Sequence, residues 1–381
     1  MSEPAPPSAP RPPGTFRIGS LAGADVLVSS TWFIVAGLIA VVVAPRIDEV
    51  QPGLGSLKYV AGLAFAVILY LSVLLHEASH AYVARHYGYR VTSITLHFLG
   101  GMTAIDSEAR KPRQEFWIAV VGPITSIAVG GAALGLWFVT PGGLLQMAVG
   151  GLAGANLLVG ALNLVPGLPL DGGRVLKSLV WKITNNMHRG TIVAAWGGRV
   201  AAVLVLAWPL LARAVLDFSP DVFDYLMAAI IASFLWTGAT ASMISARVRR
   251  RLPALKARPL ARRVVAVPSE LPITEAVRRA QDVGAGAIVV HAGDDRLSGV
   301  VNETALLATP EERRAWVPVS SVSRTIEDGM VLGADIAGED LIKAMSSTPA
   351  EEYVLVEPDG TIFGVLATSD VDRAFEEGAA K

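Results

Sequence analysis

Six long apolar runs alternate with short polar ones over the first two thirds of the chain, at roughly 26–44, 59–84, 115–139, 144–165, 192–216 and 222–246. Each approaches the ~20 residues a helix needs to cross the hydrocarbon core of a bilayer. The last runs into Arg247-Val248-Arg249-Arg250-Arg251, a stop-transfer flank. Between the second and third runs, 90–106 is too short to span as a helix. Its partial alternation of Val91, Ile94, Leu96 and Phe98 before Gly100-Gly101 predicts a hairpin or re-entrant strand. Such backbone persists at membrane depth only beside protein or water. From about Val264 the pattern becomes that of a soluble α/β domain, and two similar units follow each other. The first has the helix face Ile273, Ala276, Val277 and Ala280, the strand Ala287-Ile288-Val289-Val290, the turn Gly293-Asp294-Asp295 and the strand Leu297-Ser298-Gly299-Val300-Val301. The second has Leu341, Ile342 and Met345, then Tyr353-Val354-Leu355-Val356, Pro358-Asp359-Gly360 and Ile362-Phe363-Gly364-Val365-Leu366. One unit cannot readily bury both of its faces, so a paired module is expected. The resulting division is a Pro-rich disordered tail at 1–18, a six-helix membrane domain at 19–250, a basic linker at 251–263 and the paired module at 264–381.

Composition agrees with a membrane class. Of 381 residues, 52% are hydrophobic and 17% charged, and the mean hydropathy is +0.49, too apolar for an ordinary soluble globule. The basic residues follow topology. Arg85, Arg90, Arg110, Lys111 and Arg113 come after the second run, Arg174, Lys177, Lys182 and Arg189 after the fourth, and the arginine cluster after the sixth. The opposite loops hold Arg46 and Lys58, and later Asp217, Asp221 and Asp224. The positive-inside rule therefore predicts a multi-pass protein of the cell membrane with both termini cytoplasmic. A net charge of −1 with no basic face argues against a nucleic-acid partner. The absence of cysteine removes disulfides, thiolate metal sites and a cysteine nucleophile.

Inside the second run stands His76-Glu77-Ala78-Ser79-His80. On a helix, residues four apart share a face, so His76 and His80 can present two imidazoles to one point, with Glu77 turned about 100° away. Two imidazoles suit zinc, and a neighbouring carboxylate can serve as base for a water that the metal activates. Ionisable groups at bilayer depth cost a few kcal/mol each and are by default functional. A catalytic site needs a third ligand and an open position. Asp171, in the Pro- and Gly-rich break after the fourth run, and His97, on the predicted strand, are the candidates. The residues alone leave Asp171 equally readable as a ligand or as part of a turn. The positive-inside topology puts His76, His80 and Asp171 at similar, cytoplasmic-side depth.

His76-Glu77-x-x-His80, followed by Asn163-x-x-Pro166-x-x-Pro169-Leu170-Asp171-Gly172-Gly173, resembles the site-2 protease family of intramembrane zinc metalloproteases. The match covers about 59–180, and Gly100-Gly101, Gly122-Pro123 and Ser126 also resemble the family's middle part. The resemblance implies one zinc ion per chain, with His76, His80 and Asp171 as ligands, Glu77 as general base and Asn163 in contact with the substrate near the metal. Asn156, on a similar face, is read as an interhelical hydrogen-bonding residue. The substrate implied is a single-span membrane protein cut near its cytoplasmic end, an anti-sigma factor being one such protein. The strand at 91–98 is the expected edge for an unwound substrate segment. The rival reading is a membrane transporter or receptor, gated by its soluble module, with a non-catalytic metal site.

The C-terminal pair resembles cystathionine-β-synthase-type (CBS) repeats, as found in one branch of that family. Such modules often hold the ribose of an adenosine nucleotide through Gly-x-x-Thr-x-x-Asp. Here Gly364-Val365-Leu366-Ala367-Thr368-Ser369-Asp370 keeps the Asp but has Ala367 at the Thr position. Gly299-Val300-Val301-Asn302-Glu303-Thr304-Ala305 lacks the Asp. A module for homodimerisation or docking fits these residues at least as well as a nucleotide sensor.

Overall fold

The computed structural model describes residues 13–21, 23–98, 100–216, 219–251, 255–292 and 297–380. The chain divides into two compact units, Met1–Ala246 and Arg247–Lys381.

The first unit opens with strands β1 (Thr15–Leu21) and β2 (Ala24–Ser29), then helices α1 (Thr31–Val50) and α2 (Leu57–His86). Strands β3 (Val91–His97) and β4 (Gly100–Ile105) form the expected hairpin. Helices α3 (Pro112–Val139), α4 (Leu144–Asn163), α5 (Asp171–Thr184), α6 (Met187–Leu216) and α7 (Val222–Arg251) follow. Five of these, α2, α3, α4, α6 and α7, are long and apolar enough to cross a membrane.

Three expectations need correction here. The first apolar run is not one span: 26–29 lies in β2, and only 31–44 of it is helical before Pro45, Arg46, Asp48 and Glu49 make the end of α1 polar. Fourteen helical residues reach about 21 Å, short of the ~30 Å core. Residues 1–12 of the expected tail lie outside the described residues, but 15–18 belong to β1. That strand exists because β2 offers it an antiparallel partner, from Thr15↔Ser29 to Leu21↔Ala24, which composition cannot reveal. The third correction concerns the sheet edge. The strand order is β1-β2-β3-β4, with β3 parallel to β2 and antiparallel to β4. The segment at 91–98 is thus interior, and the free edge of the sheet next to it is β4.

Helix packing is by small residues. Along α2 the buried positions are Gly62, Ala66, Tyr70, Ser72, His76, Glu77, His80, Ala81 and Ala84, a stripe built mostly on four-residue steps. Large apolar side chains such as Leu71 and Leu75 point outward, as they do in a helix that faces lipid. Gly62 packs against the backbone of Ala40 in α1, and Gly130 and Gly160 bring α3 and α4 together. Close backbone approach maximises dispersion contact where no hydrophobic force separates helix from lipid.

In the second unit, α8 (Ala257–Leu260) precedes β5 (Val264–Pro268), α9 (Ile273–Asp282), β6 (Ala287–His291), β7 (Leu297–Val301) and α10 (Glu303–Ala308). After β8 (Ser323–Thr325) the pattern repeats as β9 (Val331–Gly333), α11 (Gly338–Ser347), β10 (Glu352–Val356), β11 (Ile362–Ala367) and α12 (Thr368–Ala380). In both halves a helix connects two parallel strands and a hairpin strand follows: β5, β6 and β7 in one, β9, β10 and β11 in the other. This is a tandem α/β module of two similar halves. One core cluster joins Val289 and Val300 of the first half to Tyr353, Val354, Leu355, Val365 and Leu366 of the second. The shared core is the physical reason the repeats are paired. The expected linker at 251–263 is shorter than it looked. Leu255 and Ala257 are buried in that core, and Arg258 pairs with Asp335 and Glu357. The expected turn at 293–295 lies outside the described residues.

Candidate metal centre

The α-helical repeat puts His76 and His80 on the buried stripe of α2, and their Nε2 atoms lie 3.2 Å apart. Asp171 Oδ2 sits 3.1 Å from His76 Nε2 and 3.2 Å from His80 Nε2. Three ligand atoms of a tetrahedral zinc ion, each at 2.0–2.1 Å, are about 3.3 Å from one another. The triangle thus has the size zinc requires, and its donors, two imidazoles and a carboxylate, suit that ion. Among the described residues this is the only cluster of His, Asp and Glu close enough to share an ion. His97 lines the same cavity but is not part of the triangle.

Each imidazole is held from behind. His76 Nδ1 is 2.9 Å from Ser126 Oγ, and His80 Nδ1 is 2.5 Å from the Ile118 carbonyl, both in α3. With Nδ1–H donating, Nε2 of His80 is left as the metal-facing lone pair, the tautomer a ligand needs. Gly122, also in α3, lies directly over the two rings. A Cβ there would come within 2.6 Å of His76 Nε2 and closer still to His80.

Asp171 reaches the site by a different route from the one its sequence suggests. It does not end α4, which stops at Asn163, but opens α5 after an irregular segment. That segment is wedged between helices by glycines. Gly172 and Gly173 leave room for the backbone of 164–168, while Gly197 and Gly198 of α6 admit the Pro166 and Leu168 carbonyls. Leu168 N–H donates to the Ala194 carbonyl at 2.9 Å, so the break in helix satisfies its backbone inside the protein. Below Asp171, Arg174 Nε lies 3.1 Å from buried Glu115 and Lys177 Nζ lies 3.8 Å from it, which ties α5 to α3.

Glu77 turns away from the triangle toward the hairpin. Thr103 of β4 donates its hydroxyl to Glu77 Oε2 at 2.7 Å, and Gly101 clears space for the glutamate side chain. A cavity of about 680 Å³ joins His76, Glu77 and Asp171 to Gly101 of β4 and to Asn163 at the end of α4. Asn163 makes no side-chain hydrogen bond among the described residues, so its amide is available to the cavity. Asn156, one further α4 residue on that wall, is spent as expected: Nδ2 donates to Ser72 Oγ at 3.0 Å and to the Leu152 carbonyl at 2.9 Å.

Sequence reading gave Thr103 and Glu115 no role in the site, and took Arg174 and Lys177 only as markers of topology. Thr103 could have been found by strand alternation, since it shares a face with Gly101. Glu115 could have been flagged as a carboxylate in a membrane-length helix.

The buried His-His-carboxylate cluster, in a domain with five membrane-length helices, has a donor set that suits a membrane metallopeptidase. A model of Peptidase family M50 matches residues 64–150 and 142–207, a stretch that holds every residue of the cluster. Over those residues the membrane domain is similar to this peptidase family. The Synechocystis protein sll0528, named as a zinc metalloprotease, is 29% identical over 377 residues, 96% of each chain. Rip3 of Mycobacterium tuberculosis, also named as a zinc metalloprotease, is 37% identical over 196 residues, half of each chain. The solved site-2 protease of Methanocaldococcus jannaschii overlays with a TM-score of 0.42 at 24% identity, over 60% of this chain and 95% of that one.

Proposed function

We propose that the chain hydrolyses a peptide bond in or near the transmembrane segment of a single-span membrane protein, with one zinc ion held by His76, His80 and Asp171. The observation that carries this reading is the shared cavity, where the three-ligand triangle, the Glu77 carboxylate and the free edge of a β-strand meet. Zinc bound there supplies a Lewis acid and an acidified water. Glu77, with Oε2 held by Thr103, uses its other oxygen to take the proton of the attacking water and returns it to the leaving amine. An extended segment pairs with the β4 edge, which exposes its backbone carbonyls as a helix would not. Asn163 donates to the substrate backbone beside the metal. The protein lies in the cell membrane with both termini cytoplasmic, so that water reaches the site from that side. Residues 19–250 form the protease, and the CBS pair serves self-association or docking. Exposed Trp316 and Leu307 on the first repeat support such a contact.

The deciding experiment uses purified wild type and Glu77→Gln, measuring zinc content and cleavage of single-span peptides. Expected are equal zinc and no cleavage by the variant. Retention of even a tenth of wild-type turnover would refute Glu77 as the base.

A further inference from the structure

We propose that Thr103 is a positioning residue that holds Glu77 in register with a substrate strand on β4. The proposal rests on the reading above, in which Glu77 is the base and the β4 edge receives substrate. Residues two apart on a strand share a face, so Gly101 and Thr103 both look at α2. Glu77 fills the space that Gly101 leaves, and Thr103 closes on it from two residues further along. The Thr103 hydroxyl lies 2.7 Å from Oε2 and 3.1 Å from the Glu77 carbonyl oxygen, so one group fixes both the carboxylate and its turn of helix. A β-branched side chain is stiff at χ1, which keeps the hydroxyl aimed. Across the hairpin, Thr103 pairs with fully buried Ile94 and Gly101 with buried Leu96, so the strand itself is anchored.

The consequence is a mechanical link. The strand at the sheet edge is also the one whose side chain orients the base, so a shift of the hairpin carries base and substrate backbone together. The metal-facing histidines are held separately, by Ser126 and Ile118 of α3. Loss of the Thr103 hydroxyl should therefore disturb turnover and leave the metal in place.

The test uses the zinc-loaded full chain in detergent with Thr103→Val, which removes the hydroxyl at nearly constant shape, and Thr103→Ser, which keeps it. The probe is a pool of single-span peptides, each of about twenty apolar residues with a central Asn-Gly or Pro. Kinetics are then read on those the wild type cuts. Expected is a drop in kcat of about 10- to 100-fold for Thr103→Val with KM within about twofold. Thr103→Ser should stay within about threefold of wild type, and zinc content should be equal in all. A readout independent of cleavage is thermal unfolding. Thr103→Val and Glu77→Ala should each lower the apparent Tm, and the double variant should fall no further than the lower single one. A kcat for Thr103→Val within twofold of wild type, equal losses in the Val and Ser variants, or additive Tm shifts would each overturn the proposal. The underlying reading fails separately: cleavage by Glu77→Gln removes it and this proposal together. An inactive Glu77→Gln beside a fully active Thr103→Val removes this proposal alone.

Discussion

Gly122→Ala adds one methyl group in the middle of α3, where helix propensity alone favours alanine by about 1 kcal/mol. The structure predicts loss of the metal site nonetheless. The new Cβ would stand 2.6 Å from His76 Nε2 and nearer to His80 Nε2, against 3.4 Å for ordinary contact. The rings must then retreat by roughly 0.8 Å or more, while metal-ligand distances tolerate only about 0.2 Å. Neither ring can yield cheaply, because Ser126 and the Ile118 carbonyl hold their far nitrogens. Disturbing the partners that orient metal-binding histidines typically costs 10- to 100-fold in affinity. Displacing the ligand atoms themselves should cost at least about 100-fold, or ~2.7 kcal/mol. The assay is zinc content by mass spectrometry after dialysis against a graded chelator series, with Tm measured on the metal-free protein. The expected result is a folded variant whose metal-free Tm is lowered by the displaced rings, together with zinc lost at chelator strengths the wild type withstands. A variant that holds zinc as tightly as wild type and cleaves within twofold of it would refute the argument.

Ser126→Ala should lower zinc affinity about 10- to 100-fold without unfolding the protein, which the same chelator series would read. Asp171→Ala should reduce both zinc occupancy and cleavage; full zinc with lost cleavage would remove Asp171 from the ligand set and return attention to His97. In the paired soluble module, Asp370 is already engaged by Arg262 at 2.6 Å, and Arg262 also pairs with Glu303. ATP or AMP should accordingly bind the full chain no tighter than high micromolar by calorimetry, and low-micromolar binding lost on Asp370→Ala would contradict this. The Arg262 hydrogen bond holds the Asp370 carboxyl below its usual range. That contribution to stability is complete above the unfolded value of about 3.9 and is lost as pH falls through the lower folded value. Arg262→Ala should then reduce the Tm of the soluble module at pH 7 and flatten its fall on acidification below pH 4.

Much of the site was legible because helical periodicity is local. His76 and His80 share a face of α2 whatever surrounds them, and a paired set of ionisable groups in an apolar run needs a function to offset its cost. The apolar runs, the hairpin at 91–105 and the repeated soluble units were visible for the same reason, since hydrophobic period and turn residues act over a few positions. What only tertiary structure decided are relations between distant segments. The carboxylate of Asp171 meets imidazoles 91 and 95 residues away because glycines in α5 and α6 let an irregular segment sink between helices. No residue at 164–171 states by itself that a new helix starts at Asp171. The same holds for β1, whose partner strand supplies its hydrogen bonds, and for β4 rather than β3 as the free edge, which follows from β2 pairing in parallel with β3. Thr103 reads as an ordinary strand residue until the sheet is laid against α2. Side-chain chemistry and spacing singled out the candidate groups, but their orientation depends on close backbone packing between helices, and that is a property of the folded chain as a whole.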